Sequence, residues 1–175
     1  MQKSNHIYDL FEHMQWADSI VWRFVLKTEG AEKDEKIKSK FFHIHMVQHA
    51  YLCLWEKLPL KLLDIAEFKN LQSICKWGNE FYEKVYIFLD KLDEKKLDSM
   101  LEIPWIKFFE AKIGKVPNSI TIAESLLQVA LHSSYHRGQV NARIRELGDE
   151  PPLVDYLFWI LQNRPEAEWG EWMNG

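Results

Sequence analysis

Residues 121–148 read TIAESLLQVALHSSYHRGQVNARIRELG, and the reading of this stretch decides the fold. Thr121 and Glu124 stand at the spacing at which a threonine hydroxyl and a glutamate carboxylate satisfy exposed backbone donors at a helix start. Gly148, followed by Pro151 and Pro152, ends the pattern, so a long helix is predicted from Thr121 to about Leu147. His132 and His136 lie well inside it, about 40° apart around the axis, and share their face with Val129 and Val140. That face is expected to look into a core. Buried imidazoles need partners, because an unpaired buried polar group costs about 1–3 kcal/mol, and one metal ion satisfies both rings.

Three more long helices are predicted upstream. Residues 4–29 carry Ile7, Leu10, Phe11, Met14, Ala17, Val21, Phe24 and Val25 at helical spacing, with Ser4 as N-cap and Gly30 as the stop. A second helix runs from about Glu35 to Lys57, capped by Asp34 and ended by Pro59. A third runs from about Asn70 to Leu92. Between Leu97 and Asn118 the period fails around Pro104, Gly114 and Pro117, and MLEIPWIKFF is rich in strand formers and aromatics. A long irregular connection is expected there, with room for one short hairpin. A short helix over about Val154 to Asn163 closes the chain. Amphipathic helices of this length bury their stripes only against one another, so the fold class is all-α: a four-helix bundle with a long connection before the fourth long helix and a short C-terminal helix. Residues 1–175 are read as a single domain, in which the long connection crosses the bundle end and simple up-down order is not required.

The charge balance, 22 basic against 26 acidic residues for a net −4, leaves no surplus for a phosphate backbone and argues against nucleic acid as a partner. No apolar run suits a membrane span, and no signal-peptide pattern is seen, so a cytoplasmic location is expected. Cys53 and Cys75 lack CxxC spacing and are expected to be unbridged small hydrophobes. Aromatic residues make up 14% of the chain, and its eight tryptophans are expected in the core and at interfaces. Trp169 and Trp172 must pack back onto the bundle or a partner subunit, and an aromatic load large for one small core is one ground, beside the resemblance given below, for expecting a homodimer.

Seven histidines are unevenly spread, with i,i+4 pairs at His45/His49 and His132/His136. On the second helix, FFHIHMVQHAYLCLW places His43 in line with Val47, Ala50 and Leu54, while His45 and His49 lie roughly 200° and 240° around from it. The three rings cannot share one target, and His45/His49, on the side of Glu56, are expected to be a solvated pair. Arg137 is expected to pair with an acidic neighbour in the bundle rather than anchor an anion. Gly138, unfavourable in mid-helix, is expected to mark close approach of another helix. Gln139 is placed to hydrogen-bond a histidine ligand or a loop.

HSSYHRGQVNARIRELGDEPPLVDY, residues 132–156, resembles the fourth-helix signature of the DinB/YfiT-like superfamily: His, three residues, His-Arg-Gly-Gln, then Leu-Gly and a Pro-Pro-x-x-Asp segment. HIHMVQHAYL resembles the second-helix motif, in which a His is followed eight and nine residues later by an aromatic and Leu; Tyr51 and Leu52 hold those places when His43 is the first His. The resemblance implies a four-helix bundle, often dimeric, whose metal ligands here are His43, His132 and His136. It implies a divalent ion, with zinc, nickel and iron all suited to imidazole. Members that resemble this pattern include bacillithiol- and other thiol-dependent transferases and isomerases. The expected function is therefore a metal-dependent enzyme acting on a small molecule with a low-molecular-weight thiol as partner. A metal-dependent hydrolase and a noncatalytic metal-stabilised binding or stress-response bundle are the alternatives.

Overall fold

The computed structural model describes residues 5–170. Four long helices lie among them: α1 (Asn5–Val25), α2 (Glu35–Trp55), α3 (Leu71–Lys91) and, after two short helices and two strands, α6 (Ile122–Glu146). The short elements are α4 (Glu94–Leu97), β1 (Met100–Leu101), α5 (Ile106–Ile113), β2 (Ile120–Thr121) and, near the C-terminus, α7 (Tyr156–Leu161). The chain is thus an all-α bundle, with no helix among the described residues long and apolar enough to cross a membrane.

Local chemistry sets the helix ends. The Asp34 side chain accepts from the Ile37 amide at the start of α2, Asn70 accepts from Ser73 at the start of α3, and Thr121 and Glu124 form a reciprocal capping box on α6. After α6, Gly148 takes a left-handed φ of 97° and the Asp149 amide reaches back to the Ile144 carbonyl. α1 stops at Val25, earlier than the apolar spacing suggests, and passes through turns to Gly30 at φ 81°. The Ser4 cap lies outside the described residues, as does Trp172.

The closest helix packing pairs α2 with α6 and with α3, and α1 with α6 and, over a shorter length, with α3. Consecutive α1 and α2 therefore sit across the bundle from each other, joined by large side chains such as Trp22 stacked on Phe41 at 3.7 Å. α3 and α6 occupy the other diagonal, which is why their connection is long. Within it, Met100 pairs with Thr121 and Leu101 with Ile120 in a two-residue antiparallel ladder. The intervening WIKFF stretch is helical where an irregular segment was expected: Pro104 precedes the first turn, Gly114 at φ 75° ends it, and α5 buries none of its residues completely.

Candidate metal centre

α2 and α6 share the most extensive helix contact in the bundle, and it carries His43 to His132 and His136. One nitrogen of each ring lies within 4.8 Å of the others, an arrangement that can hold a metal ion. His43 Nε2 and His132 Nε2 are 3.0 Å apart, and the ring centroids stand 4.4–4.9 Å from one another. A tetrahedral ion with nitrogen ligands at about 2.0–2.1 Å separates them by about 3.3 Å, so a slight widening of the His43–His132 pair brings it to that spacing. His136 Nδ1–H donates to Gln139 Oε1 at 3.0 Å, which orients the ring and leaves Nε2 as its uncommitted nitrogen.

The electrostatics suit a cation. Burial, followed by the neighbouring His136 and His43, pushes the His132 pKa down to about 4. His43 is lowered by burial, His136 and Lys40, and His136 by burial and Lys40 against the opposing Gln139 bond. Neutral imidazoles with free lone pairs are the form that binds a metal.

His45 and His49 turn away from this group, but they are not the solvated pair expected of them. His45 is fully buried: its Nε2 accepts from Trp22 Nε1 at 2.8 Å and its Nδ1 donates to Gln48 Oε1 at 2.8 Å. His49 lies flat on Trp77, with ring centroids at 4.6 Å, and donates to the Trp77 carbonyl at 2.8 Å. α2 packs against α6 on one side and α3 on another, so its buried arc exceeds the single stripe that includes His43.

Behind the triad lies a polar cluster to which all four long helices contribute. Arg137 Nη1 donates to Asp18 Oδ1 at 2.8 Å, both groups almost wholly buried, which makes Arg137 a structural ion pair. Tyr82 donates to Asp18 Oδ2, and Gln48 Nε2 lies within hydrogen-bond reach of Asp18 at 3.1 Å and Ser133 at 3.2 Å. The sequence reading did not anticipate Asp18, Gln48, Tyr82 or Ser133; a polar residue on an apolar helix face was the available signal. Gly138 does not mark close packing, since no atom lies within 4 Å of where its Cβ would stand. Gly78 does: a Cβ there would come within 2.4 Å of the His45 ring.

Cys75 is buried and its thiol pKa raised by desolvation, while Cys53 is half-buried, and both are free thiols. Trp16, Trp22, Trp55 and Trp159 are core residues, and Trp169 packs on both main apolar clusters, its ring 6.0 Å from Tyr82. Trp105 instead lines a cavity of about 330 Å³ bordered by His43 and His132.

Comparison with known proteins identifies the family. The chain is 22% identical over 178 residues to Protein DinB of Bacillus subtilis (strain 168), an alignment covering 93% of the chain and 98% of the relative. The family model described as DinB family matches residues 1–169, and the chain belongs to the DinB family.

Proposed function

We propose that the protein is a metal-dependent enzyme in which His43, His132 and His136 hold one divalent ion, with zinc, nickel or iron(II) as the ions suited to three imidazoles. The observation that carries this reading is the convergence of three imidazoles, and no further His, Cys, Asp or Glu among the described residues, beside an open cavity. Three protein ligands leave a coordination position free, the pattern of catalytic rather than structural sites. An ion held by neutral ligands keeps its full charge, which lowers the pKa of a ligating water or thiol toward neutrality. The residues' own tasks are distinct: Gln139 fixes the His136 ring, and the Arg137–Asp18 ion pair ties α6 to α1.

The reaction we propose is thiol transfer to a small electrophile, in keeping with the family resemblance; hydrolysis is the second reading, favoured by the same open position. The test is elemental analysis of untagged protein, followed by a screen of electrophiles with several low-molecular-weight thiols and of esters and phosphoesters. Stoichiometric metal with thiol-dependent turnover supports the transferase. Metal-loaded protein that never exceeds the metal-free control with any substrate between pH 6 and 9 makes the site noncatalytic.

We also propose a homodimer in the cytoplasm. Leu127, Leu131 and Tyr135 form an exposed apolar row on α6, with Leu131 at 66% and Tyr135 at 67% exposure, and nearby Gly138 keeps that face low. Light scattering at micromolar concentration checks it: twice the chain mass is expected, falling to one on Leu131→Glu with Tyr135→Glu.

A further inference from the structure

We infer that the cavity beside the histidines receives an uncharged, ring-bearing apolar part of the substrate, while the substrate's metal-seeking atom reaches the triad. The second half rests on the metal-enzyme reading; the first rests on the cavity alone. At about 330 Å³ it lies within the range of small-molecule sites, about 300–1,000 Å³. Val47, Ala50 and Tyr51 of α2 form one side, and Trp105, Phe108 and Phe109 at the start of α5 form another. Among the described residues that line it, Gln128, His43, His132, Tyr51 and Trp105 carry polar groups.

Among the described residues, no Lys, Arg, Asp or Glu lines this cavity. The neighbouring hollow, which shares Tyr51, Phe109 and Gln128, does carry charge, in Lys115 and Glu124. A charged group entering the first cavity would lose hydration without gaining a counter-ion, so charged thiols or acids are disfavoured there. An aromatic ring gains on both counts. Trp105 meets Tyr51 edge-on at 5.6 Å, and Phe108 meets Phe109 edge-on at 5.6 Å, so ring faces and edges are both presented to an occupant. Phe108 and Phe109 also remain substantially exposed, and an apolar occupant would remove part of that surface from water.

Two arms test this with the full chain. In the metal-free protein, fluorobenzene, which has no metal-seeking atom, is titrated by fluorine NMR. Saturable binding is expected, weakened about fivefold or more by the double variant Trp105→Ala/Phe109→Ala, whose sites are half-buried or exposed and whose helical circular dichroism should be unchanged. Equal binding by both proteins, or tighter binding of 4-fluorobenzoate than of fluorobenzene, overturns the inference. In the zinc-loaded protein, calorimetry compares 4-fluorobenzyl mercaptan with 2-mercaptoethanol. The aromatic thiol should bind about tenfold tighter, and the variant should lose that advantage while keeping its zinc content and its affinity for 2-mercaptoethanol. Equal affinities for the two thiols in the unmodified protein overturn the inference. Failure to take up zinc defeats the metal reading instead, and the fluorobenzene arm still decides the cavity.

Discussion

His43 and His45 are two residues apart on one helix, yet their environments differ in kind. His43 Nε2 meets His132 Nε2 at 3.0 Å, where an ion could stand between the rings, whereas both nitrogens of His45 are committed within the core, one accepting from Trp22 and one donating to Gln48. His132→Ala or His136→Ala should therefore abolish stoichiometric metal binding by elemental analysis with little loss of stability. His45→Ala should keep the metal and lower unfolding free energy by about 2 kcal/mol, because the Trp22 and Gln48 groups are left unpaired in the core. Loss of metal in His45→Ala with retention in His43→Ala would reverse the ligand assignment. Asp18→Asn should be costlier still, about 3–5 kcal/mol in a denaturant titration, since it leaves the Arg137 guanidinium buried without a counter-charge. The triad was legible because spacing on α6 and the His43 stripe both lie on local helix faces. The partner of Arg137 was not: Asp18 stands 119 residues away, beyond any local pattern.

Helix ends followed local rules, and Asp34, Asn70, Thr121 and Gly148 act where capping chemistry places them. α5 was missed because its aromatic residues favour strands in isolation, and only the pinning of its flanks by the short β1/β2 ladder and Gly114 brings the helix into place. The two mid-helix glycines give a contrast that sequence alone could not. Gly138→Ala enters open space and should stabilise the protein by about 1 kcal/mol, the ordinary helix-propensity gain. The same change at Gly78 drives a methyl into the His45 ring and should destabilise by about 2 kcal/mol or more. Thermal melts of both variants check the pair; a shift of the same sign in each would refute the packing difference.

At the scale of the whole molecule, burial lowers the pKa of His13, His43, His45, His49, His132 and His136, with His49 and His132 both near 4. The unfolded chain takes up these protons near the ordinary value of 6.5, while the folded chain resists them. Stability is accordingly full above about pH 6.5 and falls as pH drops from there toward 4. On the proposed metal site, zinc should bind the unprotonated triad and raise the urea midpoint, with a gain that shrinks over the same acid range. Urea midpoints that stay flat between pH 7 and 5 without metal would contradict the buried, neutral state of these rings.

The partners at the candidate metal centre are far apart along the chain, with His43 and His132 separated by 89 positions. During synthesis at about 5–20 residues per second, His43 therefore leaves the ribosome roughly 5–20 s before the α6 histidines can join it. Through that interval α2 has His43 but neither α6 partner, and a nascent chain truncated before α6 has no triad. Assembly of the triad is thus a late event in the protein's making, and a stalled or prematurely terminated product lacks the candidate site altogether.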